Sequence, residues 1–400
     1  MYVVPRKFNP FPFEYHTELE LQIENITNLG LGVGRHNGWV IMVPNVAIGE
    51  RILCRIYRNY NNYSQADLVE ILEPSSERVI PKCPLFGICG GCQYQHLSYG
   101  MQLRLKQQQV KELLQKLANI NVEVAPTIGT EQIYYYRSKL TPHFEKGAKN
   151  IGFLKINSRF AIVDVEHCCI GMDGINEKFK ILRQEIHRKT FKFGGTLLLR
   201  DTEDGVETNP SKMITQRIGH WVFQVYAGEF FQNNPYILPR FVDYIIRESS
   251  GEGVEFLLDM YCGVGVFGIC GSQKFEAITG IEINERAIQL ARQNAVNNSV
   301  NNIQFIAGSS ENIFAGILPE ARKTAVILDP PRKGCSELFL RQLTCFSPKK
   351  IIYISCSPDT QARDMQFLLQ HSYVIHRVQP FDLFPQTRHI ENVITLFSYK

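Results

Sequence analysis

No uninterrupted apolar stretch in this sequence approaches the ~20 residues that a membrane-spanning helix needs, so a membrane-embedded chain is not expected. The opening Met1-Tyr2-Val3-Val4-Pro5-Arg6-Lys7 is not followed by an apolar run and a small-residue cleavage site, so no secretory leader is read there. A strong charge is lacking as well: 43 basic and 39 acidic side chains leave a formal net charge of only +4, so any electrostatic footprint has to be local. An even, framework-like set of cysteines is also missing. The 11 present are odd in number and unevenly spread, which argues against disulfides and for metal or catalytic use in a reducing compartment. The cytoplasm is the expected location, with no obligate protein partner evident.

What is present exceeds one ordinary core: 400 residues predict two or three domains. The basic excess gathers in residues 81–160, with 11 basic and 4 acidic side chains, a pattern that suits a solvated surface and an RNA footprint equally. Residues 14–73 alternate in short segments punctuated by glycine, namely Leu19-Glu20-Leu21-Gln22-Ile23, Gly30 to Gly34, Trp39 to Val43 and Arg51 to Ile56. Closely spaced strands of this kind predict a small β-barrel of OB type, a common scaffold for single-stranded nucleic acid. The segment resembles a TRAM domain, an RNA-binding barrel attached to RNA-modifying enzymes.

Cys83, Cys89 and Cys92 follow at C-x5-C-x2-C spacing, with Gly87, Gly90 and Gly91 between or beside them. That density points to a metal centre. Zinc favours C-x2–4-C ligand pairs, so the longer first gap leans toward an iron–sulfur cluster, which needs a fourth thiolate from Cys168 or Cys169. Ser98 to Leu117 predicts an amphipathic helix with Leu103, Val110, Leu113, Leu114 and Leu117 on its apolar side. Tyr134-Tyr135-Tyr136-Arg137-Ser138-Lys139 then begins a basic and aromatic run suited to base stacking with phosphate contact, or to a sheet with a basic outer face.

From Glu255 strands alternate with helices, the pattern of a parallel sheet. The strand Glu255 to Asp259 leads into Tyr261-Cys262-Gly263-Val264-Gly265-Val266-Phe267-Gly268, and a second strand, Ala277 to Ile281, ends in Glu282. Glycines allow close approach of an adenosine-bearing cofactor, and an acid after the second strand can accept bonds from ribose hydroxyls. The loop also satisfies G-x-G-x-x-G, which keeps a nicotinamide-dependent iron–sulfur oxidoreductase in competition. Against it stands Asp329-Pro330-Pro331-Arg332, an Asp-Pro-Pro tail characteristic of S-adenosylmethionine-dependent methyltransferases. Amine methyltransferases carry an aromatic after that tail. Arg332 in its place disfavours an amine target and favours carbon.

The stretch Ile351-Ile352-Tyr353-Ile354-Ser355-Cys356-Ser357-Pro358 reads as a buried strand turning into a helix, with Ser357 as N-cap and Pro358 in the first turn. Cys356 at that switch would face the crevice at the carboxyl ends of parallel strands, where the helix N-terminus is expected to favour its thiolate.

Together with Phe230-Phe231-Gln232-Asn233-Asn234 and His389-Ile390-Glu391-Asn392, these motifs, in this order, resemble the RNA uracil C5-methyltransferase family. The nearest resemblance is to its TRAM- and iron–sulfur-containing RumA branch, which modifies 23S ribosomal RNA; transfer RNA is the alternative substrate. The resemblance implies a multidomain α/β fold. It comprises a TRAM-like barrel over residues 14–74, a central α+β iron–sulfur and RNA-binding domain over 75–240, and a Rossmann-like methyltransferase domain over 241–400. It further implies that Gln232, Tyr261, Glu282, Ser309 and Asp329 line the S-adenosylmethionine pocket, and that Cys83, Cys89, Cys92 and Cys168 hold a [4Fe-4S] cluster. The chemistry accounts for two more residues. Carbon 5 of uracil becomes nucleophilic once a thiolate, that of Cys356, adds to carbon 6; a general base, Glu391, must then remove the carbon 5 proton before the thiolate can leave.

Overall fold

The computed structural model describes residues 4–189, 191–308 and 319–399. Near the N-terminus, β1 (Glu18–Gln22), β2 (Asn25–Ile26), β3 (Leu31–His36), β4 (Trp39–Pro44), β5 (Arg51–Asn59) and β6 (Tyr63–Glu73) form one sheet in the order β1-β5-β6-β4-β3-β2. Alternate residues of β5, Ile52, Cys54 and Ile56, turn inward with Leu21, Ile41, Val43 and Ala66, as the two-residue period of a half-buried strand requires. The β5–β6 pairing shifts register at three places, and such irregularities increase local twist and curl a sheet. The strand patterns in the sequence stop short of β6. Its first half alternates, but its second half, from Asp67 onward, is half or fully exposed and carries little periodic signal.

The middle of the chain builds a four-stranded sheet from Ile162–Asp164, Ile151–Leu154, His143–Phe144 and Gly195–Thr196, and a three-stranded one from Gly205–Glu207, Leu199–Thr202 and Lys139–Leu140. The helix Asp173–His187 covers them, burying Ile175, Phe179 and Ile186 against Leu140, Ile151, Val165 and Leu199.

The last third forms a seven-stranded sheet. In spatial order its strands are Ile303–Ala307, Ala277–Glu282, Phe256–Met260, Thr324–Leu328, Lys350–Ser355, Glu391–Ser398 and Tyr373–Phe381. The first five are parallel, and Glu391–Ser398 runs antiparallel between Lys350–Ser355 and Tyr373–Phe381. Near-continuous Val, Ile and Leu in Thr324–Leu328 and Lys350–Ser355 follow from burial on both faces. Ile327, Ile352, Ile354 and Val393 pack on one side beneath Phe241, Ile245 and Ile288. Val326, Leu328, Ile351, Tyr353 and Ile394 pack on the other beneath Phe339, Leu343, Ala362 and Met365.

The second face is completed from far upstream. Helix α1 (Tyr99–Ala118), capped by Ser98, which accepts from the Met101 amide, contributes Val110, Leu114 and Ala118 to it. The buried side of α1 departs from the expected one. Leu117 is 54% exposed and Leu103 and Leu113 are only half-buried, whereas Gln102, Leu105, Lys106 and Gln109 are buried. The sequence pattern misleads because this helix turns a polar stripe inward, where Gln102, Lys106 and Gln109 each donate to a partner. Lys106 pairs with Asp382 at 2.6 Å with both side chains fully enclosed, and breaking such a pair costs about 3–5 kcal/mol. Among the described residues no helix is long and apolar enough to cross a membrane.

Candidate active site

The carboxyl ends of neighbouring strands bring the reactive groups together. Leu328 pairs with Tyr353 in the parallel ladder, and Ser355 pairs with Asn392 in the antiparallel one. Asp329 and Cys356 come one residue beyond the ends of their strands, and Glu391 opens the antiparallel strand one residue before Asn392. A one-residue slip would turn these side chains to the other face of the sheet. All three line a cavity of ≈ 960 Å³, together with Gln232, Tyr261 and Glu282. Ser309 lies outside the described residues.

The cofactor side of the cavity is shaped by glycines. A Cβ on Gly265, which sits at φ 86°, would lie 2.7 Å from the Phe305 ring, and one on Gly280 would lie 2.5 Å from the same ring. Behind the loop, buried Asp259 accepts from the Gly268 amide at 2.9 Å, and burial pushes its carboxyl up to about 7. It does not line the cavity, so it orders the loop from below. Glu282 accepts from the amides of Gly263 at 3.3 Å and Asn284 at 2.9 Å, which fixes its carboxylate at the end of the second strand. Phe230, 72% exposed, stands at the rim beside Gln232.

The chemistry side is a desolvated cluster. Burial, with Asp329 nearby, raises Glu391 well above the usual carboxylate range, and burial pushes Asp329 up to about 7. Cys356 is pushed up to about 11, first by burial and then by the charges of Glu391 and Asp329, while the hydrogen-bonded Arg332 guanidinium pulls it back. This corrects the expectation of a thiolate favoured by the helix. Helix Pro358–Gln370 does start with Pro358 after Ser357, but the Ser357 hydroxyl donates to Asp359 at 2.7 Å and makes no backbone cap, and desolvation outweighs the helix end. The turn itself is held by the Ser355 hydroxyl, which accepts from the Ser357 amide at 3.0 Å.

Arg332 is a site residue whose relation to the thiol no local pattern in the sequence announces. Its carbonyl accepts from the Thr360 hydroxyl at 2.9 Å, and the Cys335 amide donates to Asp364 at 2.8 Å, so the loop after Asp329 is pinned to the helix that follows Cys356. His389 also lines the cavity. Burial and the Arg332 charge lower it to about 4, so it is neutral at ordinary pH.

The segment 382–390, which delivers His389 and Glu391, is held on every side. Lys106 of α1 grips Asp382. Asn234, next to the cofactor residues, donates to the Leu383 carbonyl at 3.0 Å, and Tyr136 donates to the Pro385 carbonyl at 2.9 Å. Gln102 and Gln386 exchange bonds of 3.1 and 3.0 Å. These contacts span up to 284 positions in sequence, which is why sequence patterns miss them.

A second cavity of ≈ 660 Å³ is lined by Cys83, Cys89, Cys92, Cys168 and Cys169. Arg137, from the basic aromatic run, lines both this cavity and the first. The Cys83 and Cys169 thiols hydrogen-bond each other. Burial raises Cys89, Cys92 and Cys168, and the charge of Cys83 reinforces each of them. Among the described residues no three His, Cys, Asp or Glu side chains gather closely enough to ligate a single metal ion.

A glycine loop after the first strand of the sheet, an acid ending the second, Asp-Pro-Pro ending the fourth and a final antiparallel strand inserted between neighbours define a Rossmann-like S-adenosylmethionine methyltransferase domain. The fold agrees with that of the Pyrococcus abyssi tRNA (uracil-54, C5)-methyltransferase solved with S-adenosyl-L-homocysteine. The TM-score is 0.75 at 24% identity, covering 94% of this chain and 100% of that one. Residues 211–398 match the tRNA (uracil-5-)-methyltransferase family model. The Schizosaccharomyces pombe tRNA (uracil(54)-C(5))-methyltransferase is 37% identical over 96% of this chain and 79% of its own length. An uncharacterized RNA methyltransferase of Clostridium tetani is 32% identical over 97% and 98%, respectively. The chain therefore belongs to the family of S-adenosylmethionine-dependent RNA uracil-C5 methyltransferases.

Proposed function

We propose that the protein methylates carbon 5 of a uridine in transfer RNA, with Cys356 as nucleophile and Glu391 as general base. The observation that carries the mechanism is that Cys356 and Glu391, at the adjoining ends of two paired strands, line one desolvated cavity. In this reading the Cys356 thiolate adds to carbon 6 and the electron pair moves onto the oxygen at carbon 4. S-Adenosylmethionine supplies an electrophilic methyl group, which carbon 5 takes. Glu391 then removes the carbon 5 proton, the double bond between carbons 5 and 6 re-forms, and the thiolate leaves. A carboxylate with raised proton affinity suits that abstraction. Gln232, Tyr261, Glu282 and Asp329 would hold the cofactor, with Ser309 assigned to the same pocket by resemblance alone.

For a base to reach Cys356 it must leave its stack. The curled N-terminal sheet, read as the TRAM-like domain of residues 14–74, offers a platform: Tyr60 and Tyr63 stack at 4.5 Å, with the Arg58 guanidinium 4.6 Å from the Tyr60 ring. We assign residues 75–240 to the cysteine-containing, RNA-gripping domain and 241–400 to catalysis. Four thiols of one cavity, Cys83, Cys89, Cys92 and Cys168, would carry mutually repelling charge as thiolates. That donor set fits a [4Fe-4S] cluster, which spreads its ligands more widely than a single ion, with Cys169 left to bond Cys83. The catalytic steps require no electron transfer, so the role assigned to this centre is positional.

Transfer RNA is preferred to 23S ribosomal RNA because the named relatives in Schizosaccharomyces pombe and, at 30% identity, Saccharomyces cerevisiae are tRNA (uracil(54)-C(5))-methyltransferases. The deciding experiment offers anaerobically purified protein labelled S-adenosylmethionine with transfer RNA or 23S transcripts, and identifies the product nucleotide by mass spectrometry. Label as 5-methyluridine in transfer RNA is expected. Label only in 23S RNA would reinstate the ribosomal reading and keep the mechanism, whereas label on a nitrogen would end both.

The pH dependence follows from the cysteine. With its thiol near 11, the free enzyme holds only about 10⁻⁴ of Cys356 as thiolate at neutral pH. kcat/KM is therefore expected to rise about tenfold per unit between about pH 7 and about pH 9. Arg332 favours the thiolate, so Arg332→Ala should displace the rising limb to higher pH. A profile flat across that range in the native enzyme would contradict the assignment.

A further inference from the structure

Gln93 lies immediately after Cys92, and its side-chain amide makes two contacts that point in opposite directions. Its Nε2 donates to the carbonyl of Gly90, inside the cysteine loop, at 2.9 Å. Its Oε1 accepts from the amide of Arg388 at 3.2 Å, three residues before Glu391. The main chain adds to this junction: the amides of Gln93 and Tyr94 both donate to the Gln386 carbonyl at 3.0 Å, and Gln386 is held in the left-handed region at φ 70°. Arg388 itself lines the cysteine cavity, while His389, the next residue, lines the catalytic one. The Gln93 side-chain amide thus ties the cysteine loop to the segment that leads to Glu391.

We propose that Gln93 is a positioning residue for Glu391: its amide, fixed to the cysteine loop, sets the path of residues 388–390 and so the aim of the base. The inference rests on the reading of Glu391 as general base and holds for whatever the cysteine cavity contains. The Cys356 turn is held by Ser355 and by the helix behind it, with no bond to Gln93. Loosening the Gln93 contact should therefore leave thiolate addition and methyl transfer almost untouched, yet misaim proton abstraction, a step that loses up to about 10²-fold for an ångström of displacement.

The test uses the full chain with its RNA substrate and labelled S-adenosylmethionine in single-turnover experiments. These separate methyl incorporation from release of RNA, the latter read as loss of the denaturation-resistant protein–RNA adduct. Gln93→Met keeps the side-chain volume and removes both polar contacts. Gln93→Glu keeps an oxygen to accept from the Arg388 amide but loses the donor to the Gly90 carbonyl, so it cuts the tie to the cysteine loop alone. The expected result is that Gln93→Met incorporates methyl within about 3-fold of the native rate and releases RNA about 10-fold or more slowly, so that methylated adduct accumulates, with KM for RNA unchanged. Gln93→Glu, which lacks the Gly90 tie, should also release RNA more slowly than the native enzyme while incorporating methyl within about 3-fold. Native release by Gln93→Met, or equal slowing of both steps, would overturn the proposal, since a purely structural contact affects them alike. Failure of the underlying reading is visible separately: Glu391→Gln would then build no adduct at all.

Discussion

Replacing Cys356 with alanine should lower methyl transfer by about 10⁴-fold or more, equivalent to about 5.5 kcal/mol of lost transition-state stabilisation, while cofactor binding survives. Carbon 5 of uracil has no other route to nucleophilic character in this cavity: His389 is neutral, and no second thiol lines the wall near Glu391, the other cysteine of the cavity, Cys262, lying on the glycine-loop side. The change should be benign for the fold. The turn is secured by Ser355, Ser357 and Thr360, and Cys356 is only partly buried, so stability should shift by no more than about 1 kcal/mol. Radiolabel transfer measures the first expectation, and calorimetric titration with S-adenosylhomocysteine the second. Turnover at the native rate by Cys356→Ala would remove the covalent mechanism altogether.

Glu391→Gln should act at the opposite end of the cycle. Burial with Asp329 nearby already favours the uncharged carboxyl, and glutamine resembles that form in shape and charge, so the strand pairing of residue 391 with Phe381 should be retained. Addition and methyl transfer should proceed, but residue 391 can no longer take the carbon 5 proton. The enzyme should then stall as a methylated covalent complex, with release slowed about 10²–10⁴-fold. A slow-migrating RNA band on a denaturing gel, carrying the labelled methyl group and absent from a Cys356→Ala, Glu391→Gln double variant, is the signature. Rapid multiple turnover without such a band would reassign the base.

The sequence reveals best what obeys local periodicity and local chemistry. The β-branched and aromatic run at 351–354 marks its own strand, and the glycines at 265 and 268 mark close approaches that the Phe305 ring and the Ile303 side chain, respectively, enforce in space. Groups that lie far apart in the chain are readable only through chemistry or resemblance: Cys356 and Glu391 come into one cavity because Ser355 pairs with Asn392. The inward polar stripe of α1 is unreadable from Gln102 and Lys106 alone, because their partners Gln386 and Asp382 are more than 270 residues away. The helix end at Cys356 misleads in another way. Its favourable effect on a thiolate is a local rule, whereas the desolvation and the two carboxyls that outweigh it come from the assembled cavity.

The strand Glu391–Ser398 lies between two strands that both precede it in the chain. It pairs with Tyr373–Phe381 across the short connection 382–390 and with Lys350–Ser355 from further upstream, so it is the strand that joins this terminal hairpin to the parallel sheet. The closure that removes the last open edges inside the sheet also brings the base into one cavity with the thiol. If the proposed roles hold, a molecule in which this strand has not docked would have its nucleophile but not its resolving group, so the appearance of turnover during refolding should report the closing of the sheet itself.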